Sequence, residues 1–236
     1  MSFSDTEVAK WIQPQHLDDE ALEAVRSSFQ SHPGKVVVLR NVLLEPIAER
    51  LAKFLSQEAQ FAPEQGLYSI EGAVSDEQWS SAPDEDRLFR LSRLAGIPNE
   101  FQLGGNALTY LRFRQTFQRP EFEKFFESIT GLPLGASDDF GVHSMSPGDF
   151  LKPHSDDIRN RRVALVIYLS PDWEPRYGGS LHVTDSGGGE TVIEAEYNSM
   201  VVFDVIADTT HFVAQIEDAA GERRRLTIGG WYHQPS

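Results

Sequence analysis

The stretch Arg161-Arg-Val-Ala-Leu-Val-Ile-Tyr-Leu-Ser170, closed by Pro171-Asp172, reads as a strand buried on both faces and stopped by a turn. Its texture repeats on either side. Short runs rich in Val, Ile, Tyr and Phe predict strands near 139–145, 148–153, 161–169, 180–184, 191–195, 199–204, 211–217 and 224–232. Ser146-Pro147-Gly148, Gly178-Gly179 and Ser186-Gly187-Gly188-Gly189 break them. Strands at this spacing suit a double-sheet jelly roll, the double-stranded β-helix.

Upstream the texture is mostly helical. Asp18-Asp19-Glu20 opens a periodic stretch through Phe29, with acids in the first turn. Lys35–Arg40 predicts a strand. Leu44–Glu58, Asp84–Ala95, Ala107–Phe117 and Pro120–Ile129 predict helices, and 59–83 reads as a polar, irregular segment. The expected fold is therefore α+β, mainly β: a jelly roll with supporting N-terminal helices. We expect one domain over 1–236, with helical support in 1–134 and the jelly-roll core in 135–236.

Composition narrows the chemistry. The 236 residues include 21 Lys plus Arg against 36 Asp plus Glu, a formal charge of -15. Such a chain is a poor phosphate-backbone binder, so no nucleic-acid partner is expected. Cysteine is absent, which removes disulfides, thiolate metal sites and Cys nucleophiles. Any metal must be held by His and carboxylates. No apolar run approaches the ~18 residues of a membrane span, and the N-terminus has no signal-peptide pattern. A cytoplasmic protein without a membrane partner is the expectation; the sequence assigns no oligomeric state.

Three places can carry chemistry. In Pro153-His154-Ser155-Asp156-Asp157, residues two apart on an extended chain share a face, so His154 and Asp156 can aim at one point. His-x-Asp alone is a common accident in a chain with seven histidines. His211 follows the apolar strand Met200–Phe203. Two histidines and a carboxylate on neighbouring strands form the facial triad of non-haem iron(II) oxygenases, which leaves positions open for substrate and dioxygen. In Arg225-Leu-Thr-Ile-Gly-Gly-Trp-Tyr-His233, parity puts Arg225, Thr227, Gly229 and Trp231 on one face and Arg224, Leu226 and Ile228 on the other. A buried arginine beside a hydroxyl is a good carboxylate receptor. Arg223 shares the parity of Arg225 but sits nearer a polar turn.

Taken in order, these pieces resemble the prolyl-hydroxylase-like branch of the 2-oxoglutarate- and iron(II)-dependent dioxygenases. The matching stretches are Ser146–Asp156, Arg161–Ser170, Gly178-Gly179-Ser180-Leu181, Val202-Phe203 with His211, and Arg225–His233. The pattern looks most like the catalytic domain of ribosomal prolyl hydroxylases. The resemblance implies Fe(II) held by His154, Asp156 and His211, with 2-oxoglutarate and O2 as cosubstrates. Arg225, helped by Thr227, would receive the distal carboxylate of 2-oxoglutarate. The substrate class implied is proline or a related amino acid, free, carrier-bound or in a peptide. A different small molecule, such as a natural-product intermediate, is the alternative substrate.

One departure is plain. The family often carries a Tyr that contacts the cosubstrate two residues before the Pro147-Gly148 turn, where this chain has Met145. Retention of Asp156 argues against the related halogenases, which lose that carboxylate. A cupin-type metalloenzyme without 2-oxoglutarate, or a non-catalytic acidic binding module, are the rivals; the Arg225/Thr227 pair speaks against the former. His143, His182 and His233 read as core or surface histidines, His143 being the one that shares a strand face with Met145. Trp231 reads as packing near the site, Arg159, Arg161 and Arg162 as a turn cluster able to meet an anion, and 59–83 as either a lid over the open end of the barrel or a plain surface loop.

Overall fold

The computed structural model describes residues 3, 5–97, 103–136, 139–158 and 160–235. Arg159 lies outside them. In chain order the elements are α1 (Asp19–Ser31), β1 (Val36–Leu39), α2 (Glu45–Lys53, running into a π-helical turn Phe54–Glu58), β2 (Gln60–Leu67), α3 (Asp76–Ser81) and β3 (Arg87–Gly96). Then come α4 (Gly105–Phe117), α5 (Pro120–Thr130), β4 (Phe140–Met145), β5 (Phe150–His154), β6 (Arg161–Tyr168) and β7 (Leu181–Thr184). The chain closes with β8 (Glu190–Ile193), β9 (Ser199–Asp204), β10 (Thr210–Val213) and β11 (Arg225–His233).

Local chemistry explains the helix ends. The Asp18 side chain accepts the Ala21 amide at 2.8 Å and caps α1. Pro120 opens α5, and Gly131, at φ 71°, closes it in the left-handed conformation that glycine adopts without strain.

The strands form one curled antiparallel sheet in the order β1-β9-β6-β11-β4-β3-β5-β10-β7-β8, with β2 paired to β3. It folds back on itself as a jelly roll. The central strands are buried on both sides, and alternation divides their residues. Val163, Leu165, Ile167, Met200, Val202, Leu226 and Ile228 pack in one cluster with α2, α4 and α5. Ala164, Tyr168, Val201 and Phe203 face the other way, into the roll. At the helix–sheet seam Phe117 packs against Phe113, Phe122, Phe126, Phe140 and Tyr232, with ring centroids 5.3–5.9 Å apart.

The eight strands expected after residue 134 are present; the N-terminal half differs from expectation. Residues 59–83 are not irregular, since they supply β2 and α3. Residues 84–95 are not a helix, since they form most of β3. The spacing of Leu88, Leu91 and Leu94 mimics a helical face, but β3 finds backbone partners on both edges. It pairs with β2 along its length, with β4 at Ser92 and Arg93, and with β5 at Phe89 and Arg90. Tertiary pairing overrides local periodicity here. With β1 included, the expected helical support contributes three strands to the sheet. The connector from β2 to β3 packs on β5: the Tyr68 hydroxyl donates to the Pro153 carbonyl at 2.7 Å, and Trp79 lies 6.2 Å from the Phe150 ring.

Phe117→Ala should destabilise the chain by about 3–5 kcal/mol, because the surrounding rings cannot close the cavity. Urea denaturation should show a lowered midpoint with an unchanged slope.

Candidate functional site

β5 ends at His154, and Asp156 follows two residues on. His211 sits on β10 directly across from His154 in the strand register. Pairing thus brings residues 57 apart in sequence face to face, with ring centroids 4.2 Å apart. Asp156 completes the group: Oδ1 lies 3.7 Å from His154 Nε2 and Oδ2 lies 3.4 Å from His211 Nε2. One ligand atom from each residue falls within a 4.8 Å cluster.

The surroundings prepare these groups to ligate. The His154 Nδ1–H donates to the Lys152 carbonyl at 3.0 Å, which leaves the lone pair on Nε2. Burial, with His211 beside it, pushes the His154 pKa down to about 4, so the ring is neutral near pH 7. Burial alone would raise the Asp156 carboxyl, yet His211, His154 and Arg161 hold it well below the usual carboxylate range. Two imidazoles and one carboxylate, with no thiolate, form a donor set that fits a first-row divalent ion such as iron(II).

A further layer fixes Asp156. The Trp231 indole N–H donates to Oδ2 at 2.9 Å and Arg161 donates to Oδ1 at 3.3 Å. Arg161 is itself held by Asp139 at 2.6 Å, and its guanidinium carbon lies 3.5 Å from the Trp231 ring centroid. Sequence reasoning gave Trp231 to packing and Arg161 to a turn cluster able to meet an anion. Their role toward Asp156 depends on which strands become neighbours, a fact absent from the sequence pattern.

The three residues open onto a cavity of about 310 Å³ between the two layers of the roll. Arg225 and Thr227 line it, as the strand parity predicted. Arg224 points away and donates to the Ser56 carbonyl at 2.9 Å, while Arg223 lies 5.1 Å from the Tyr177 ring. Gly179, at φ 75°, makes room for Arg225: a Cβ there would stand 2.7 Å from Arg225 Cδ. Arg225 is 4% exposed, and among the described residues no carboxylate pairs with it. Its Nε has no hydrogen-bond partner, and its Nη1 reaches only the Met145 sulfur at 3.6 Å. The Tyr168 hydroxyl, buried beside this guanidinium and interacting with it, makes no hydrogen bond of good geometry. A buried guanidinium beside a buried hydroxyl fits a bound carboxylate. Tyr168 was legible in the sequence only as a strand residue. Of the other histidines, His143 lines the cavity, whereas His182 stacks on Phe212 at 4.3 Å outside it.

Residues 140–233 match the sequence profile described as the 2OG-Fe(II) oxygenase superfamily. Among curated proteins the chain is 26% identical over 157 residues to prolyl 3-hydroxylase OGFOD1 of Xenopus laevis, covering 64% of this chain and 29% of that protein. It is 32% identical over 140 residues to prolyl 3,4-dihydroxylase OGFOD1 of Ostreococcus tauri, covering 54% of this chain and 27% of that protein. The chain thus spans under a third of the length of these relatives. Among solved structures, the prolyl hydroxylase of Trichoplax adhaerens, in complex with a hypoxia inducible factor peptide, superposes with TM-score 0.63 at 15% identity, over 92% of this chain and 90% of that one. A Pseudomonas putida prolyl-4-hydroxylase gives 0.59 at 20% identity, over 91% of this chain and all of that one. The resemblance to the prolyl-hydroxylase-like branch, drawn from the motifs, is shown by these comparisons, and the fold is that of the 2-oxoglutarate oxygenases.

Trp231→Phe removes one hydrogen bond from Asp156 without emptying the site. Its affinity for manganese(II), read by competition with a chelator, should fall about 10- to 100-fold. His154→Ala should abolish specific metal binding in the same assay.

Proposed function

We propose that this chain is an iron(II)- and 2-oxoglutarate-dependent dioxygenase that hydroxylates a C–H bond of a prolyl or related amino-acid substrate. One observation carries the reading. The His154/Asp156/His211 cluster and an unpaired, buried Arg225 face the same cavity, so a metal and a dicarboxylate can bind there together. His154, Asp156 and His211 would hold iron(II). Bound there with 2-oxoglutarate and dioxygen, the metal supplies an oxidant able to replace C–H by C–OH, with succinate and carbon dioxide as coproducts.

The chain's own residues set the geometry of that chemistry. Arg225 would anchor the distal carboxylate through two parallel N–H donors, with Thr227 and the Tyr168 hydroxyl beside it. Anchoring at the floor orients the 2-oxo acid end toward the metal and removes rotational freedom before reaction. Arg161 and Trp231 hold the Asp156 carboxylate in one orientation, beside His154 and His211, where it would help hold the metal. The apolar wall contributed by Phe89, Leu91, Leu151, Phe203 and Val213 keeps bulk water from the reacting centre.

The prolyl substrate is supported by the names of the relatives, not by a feature of the cavity. A peptide is the form we favour, because the Trichoplax adhaerens prolyl hydroxylase whose fold this chain shares is in complex with a peptide fragment.

Substrate-stimulated succinate formation, screened over free proline, prolyl peptides and carrier-bound amino acids, tests the reading. Turnover with a prolyl peptide supports it; stoichiometric iron binding without 2-oxoglutarate turnover on any substrate sinks it. In the same assay Arg225→Gln should raise the 2-oxoglutarate requirement roughly 30- to several-thousand-fold while leaving metal content intact. Arg224→Gln, on the outer face, should match the parent.

A further inference from the structure

One row of side chains crosses the cavity wall over four strands. Arg93 on β3 pairs with His143 on β4, His143 with Thr227 on β11, and Thr227 with Tyr168 on β6. Directly opposed residues of antiparallel strands share a face, with Cβ atoms about 4.5–5.5 Å apart. His143 is therefore an immediate neighbour of Thr227, on the side away from Tyr168. One row deeper, Met145 opposes Arg225.

His143 lines the cavity, and its ring leans along β4 over Gly141, where a Cβ would stand 2.7 Å from His143 Cε1. Gly141 in turn opposes Gly229. Two glycines side by side leave this level of the wall to the imidazole. Among the described residues no protein group hydrogen-bonds to either ring nitrogen. Burial, with Arg93 and Arg225 nearby, pushes the His143 pKa down to about 4, so the ring is neutral, with one N–H donor and one lone pair. The half-buried ring faces the cavity, where a ligand can take its hydrogen bond.

We propose that His143 is a cosubstrate-binding residue, donating its ring N–H to 2-oxoglutarate beside Arg225 and Thr227. The inference rests on the function proposed above. Two observations select the cosubstrate. Thr227, expected to bind it, is the cross-strand partner of His143. Met145, which opposes Arg225, offers a ligand no donor, while His143 projects from the same strand to the same face two residues earlier. Arg93, at the far end of the row, is tied to Glu64 at 2.9 Å, which leaves Arg225 as the cation for an anionic ligand.

The test is calorimetric titration of 2-oxoglutarate into the manganese(II)-loaded full chain, without turnover. His143→Leu should weaken binding about tenfold or more while metal stoichiometry stays at the parent value. His143→Gln, which restores a donor at similar reach, should recover most of the loss; this variant guards against a simple packing defect. A parent chain that binds 2-oxoglutarate, with His143→Leu binding it equally well, overturns the role of His143 and leaves the proposed function standing. A metal-loaded parent chain that binds no 2-oxoglutarate overturns both.

Discussion

A slip of β11 by one residue against β4 and β6 would turn Arg225, Thr227 and Trp231 out of the cavity and drive Leu226 and Ile228 into it. Every polar contact described for the site depends on that register, yet polar contacts do not set it. Leu226, Ile228 and Tyr232 are at most 3% exposed, because the helices cover the outer face of the strand. Burying each such side chain is worth about 1.5–3 kcal/mol, more than the gain from any single hydrogen bond in the cavity. Ser170 adds a local lock, accepting the Leu226 amide at 2.6 Å and donating to the Arg224 carbonyl at 2.9 Å. Apolar packing on one face thus aims the chemistry on the other.

Charge pairing singles out Arg225 by contrast. Elsewhere low exposure and opposite charge go together: Arg162 meets Asp204 at 2.8 Å, and Arg161 meets both Asp139 and Asp156. A buried charge without a partner is expensive, so folds seldom keep one. Arg225 is kept, with only a thioether, an aromatic face and a buried hydroxyl around it. Room for it is built in by Gly179, at the cost of a strained backbone conformation for any other residue. Both features are what a ligand carboxylate requires of the protein that binds it.

The jelly-roll strands were legible because alternation and turn residues are local signals. His154 and Asp156 were legible for the same reason, their separation of two along an extended segment. His211 needed the order of the motifs, since nothing near it in sequence marks it as a partner of His154. The strand parity that separates Arg225 from Arg224 is local, and it agrees with the structure. β3 was misread because Leu88, Leu91 and Leu94 carry a helix-like spacing, while the partners that make the segment a strand lie elsewhere in the chain. Arg161, Trp231, Tyr168 and His143 gain their roles from cross-strand neighbours. Register links residues far apart, and no window of sequence contains it.

β3 divides the site into two parts with different sources. It pairs with β4 through Ser92 and Arg93 and with β5 through Phe89 and Arg90, so it closes the roll between the sheet that holds Arg225 and the strands that hold the histidines. The closure is fixed by Arg90, which meets Asp149 at 3.0 Å, and by Gly66, where a Cβ would stand 2.3 Å from the Phe89 ring. Phe89, Leu91 and Arg93 are thereby committed to the cavity wall. The metal cluster and Arg225 come from the stretch 140–233, which carries the family motifs, whereas this wall comes from a hairpin outside it. Phe89 and Leu91 therefore shape the cavity from a strand that holds none of His154, Asp156, His211 and Arg225, and that strand is tied to its neighbours by backbone pairing and by the Arg90–Asp149 ion pair.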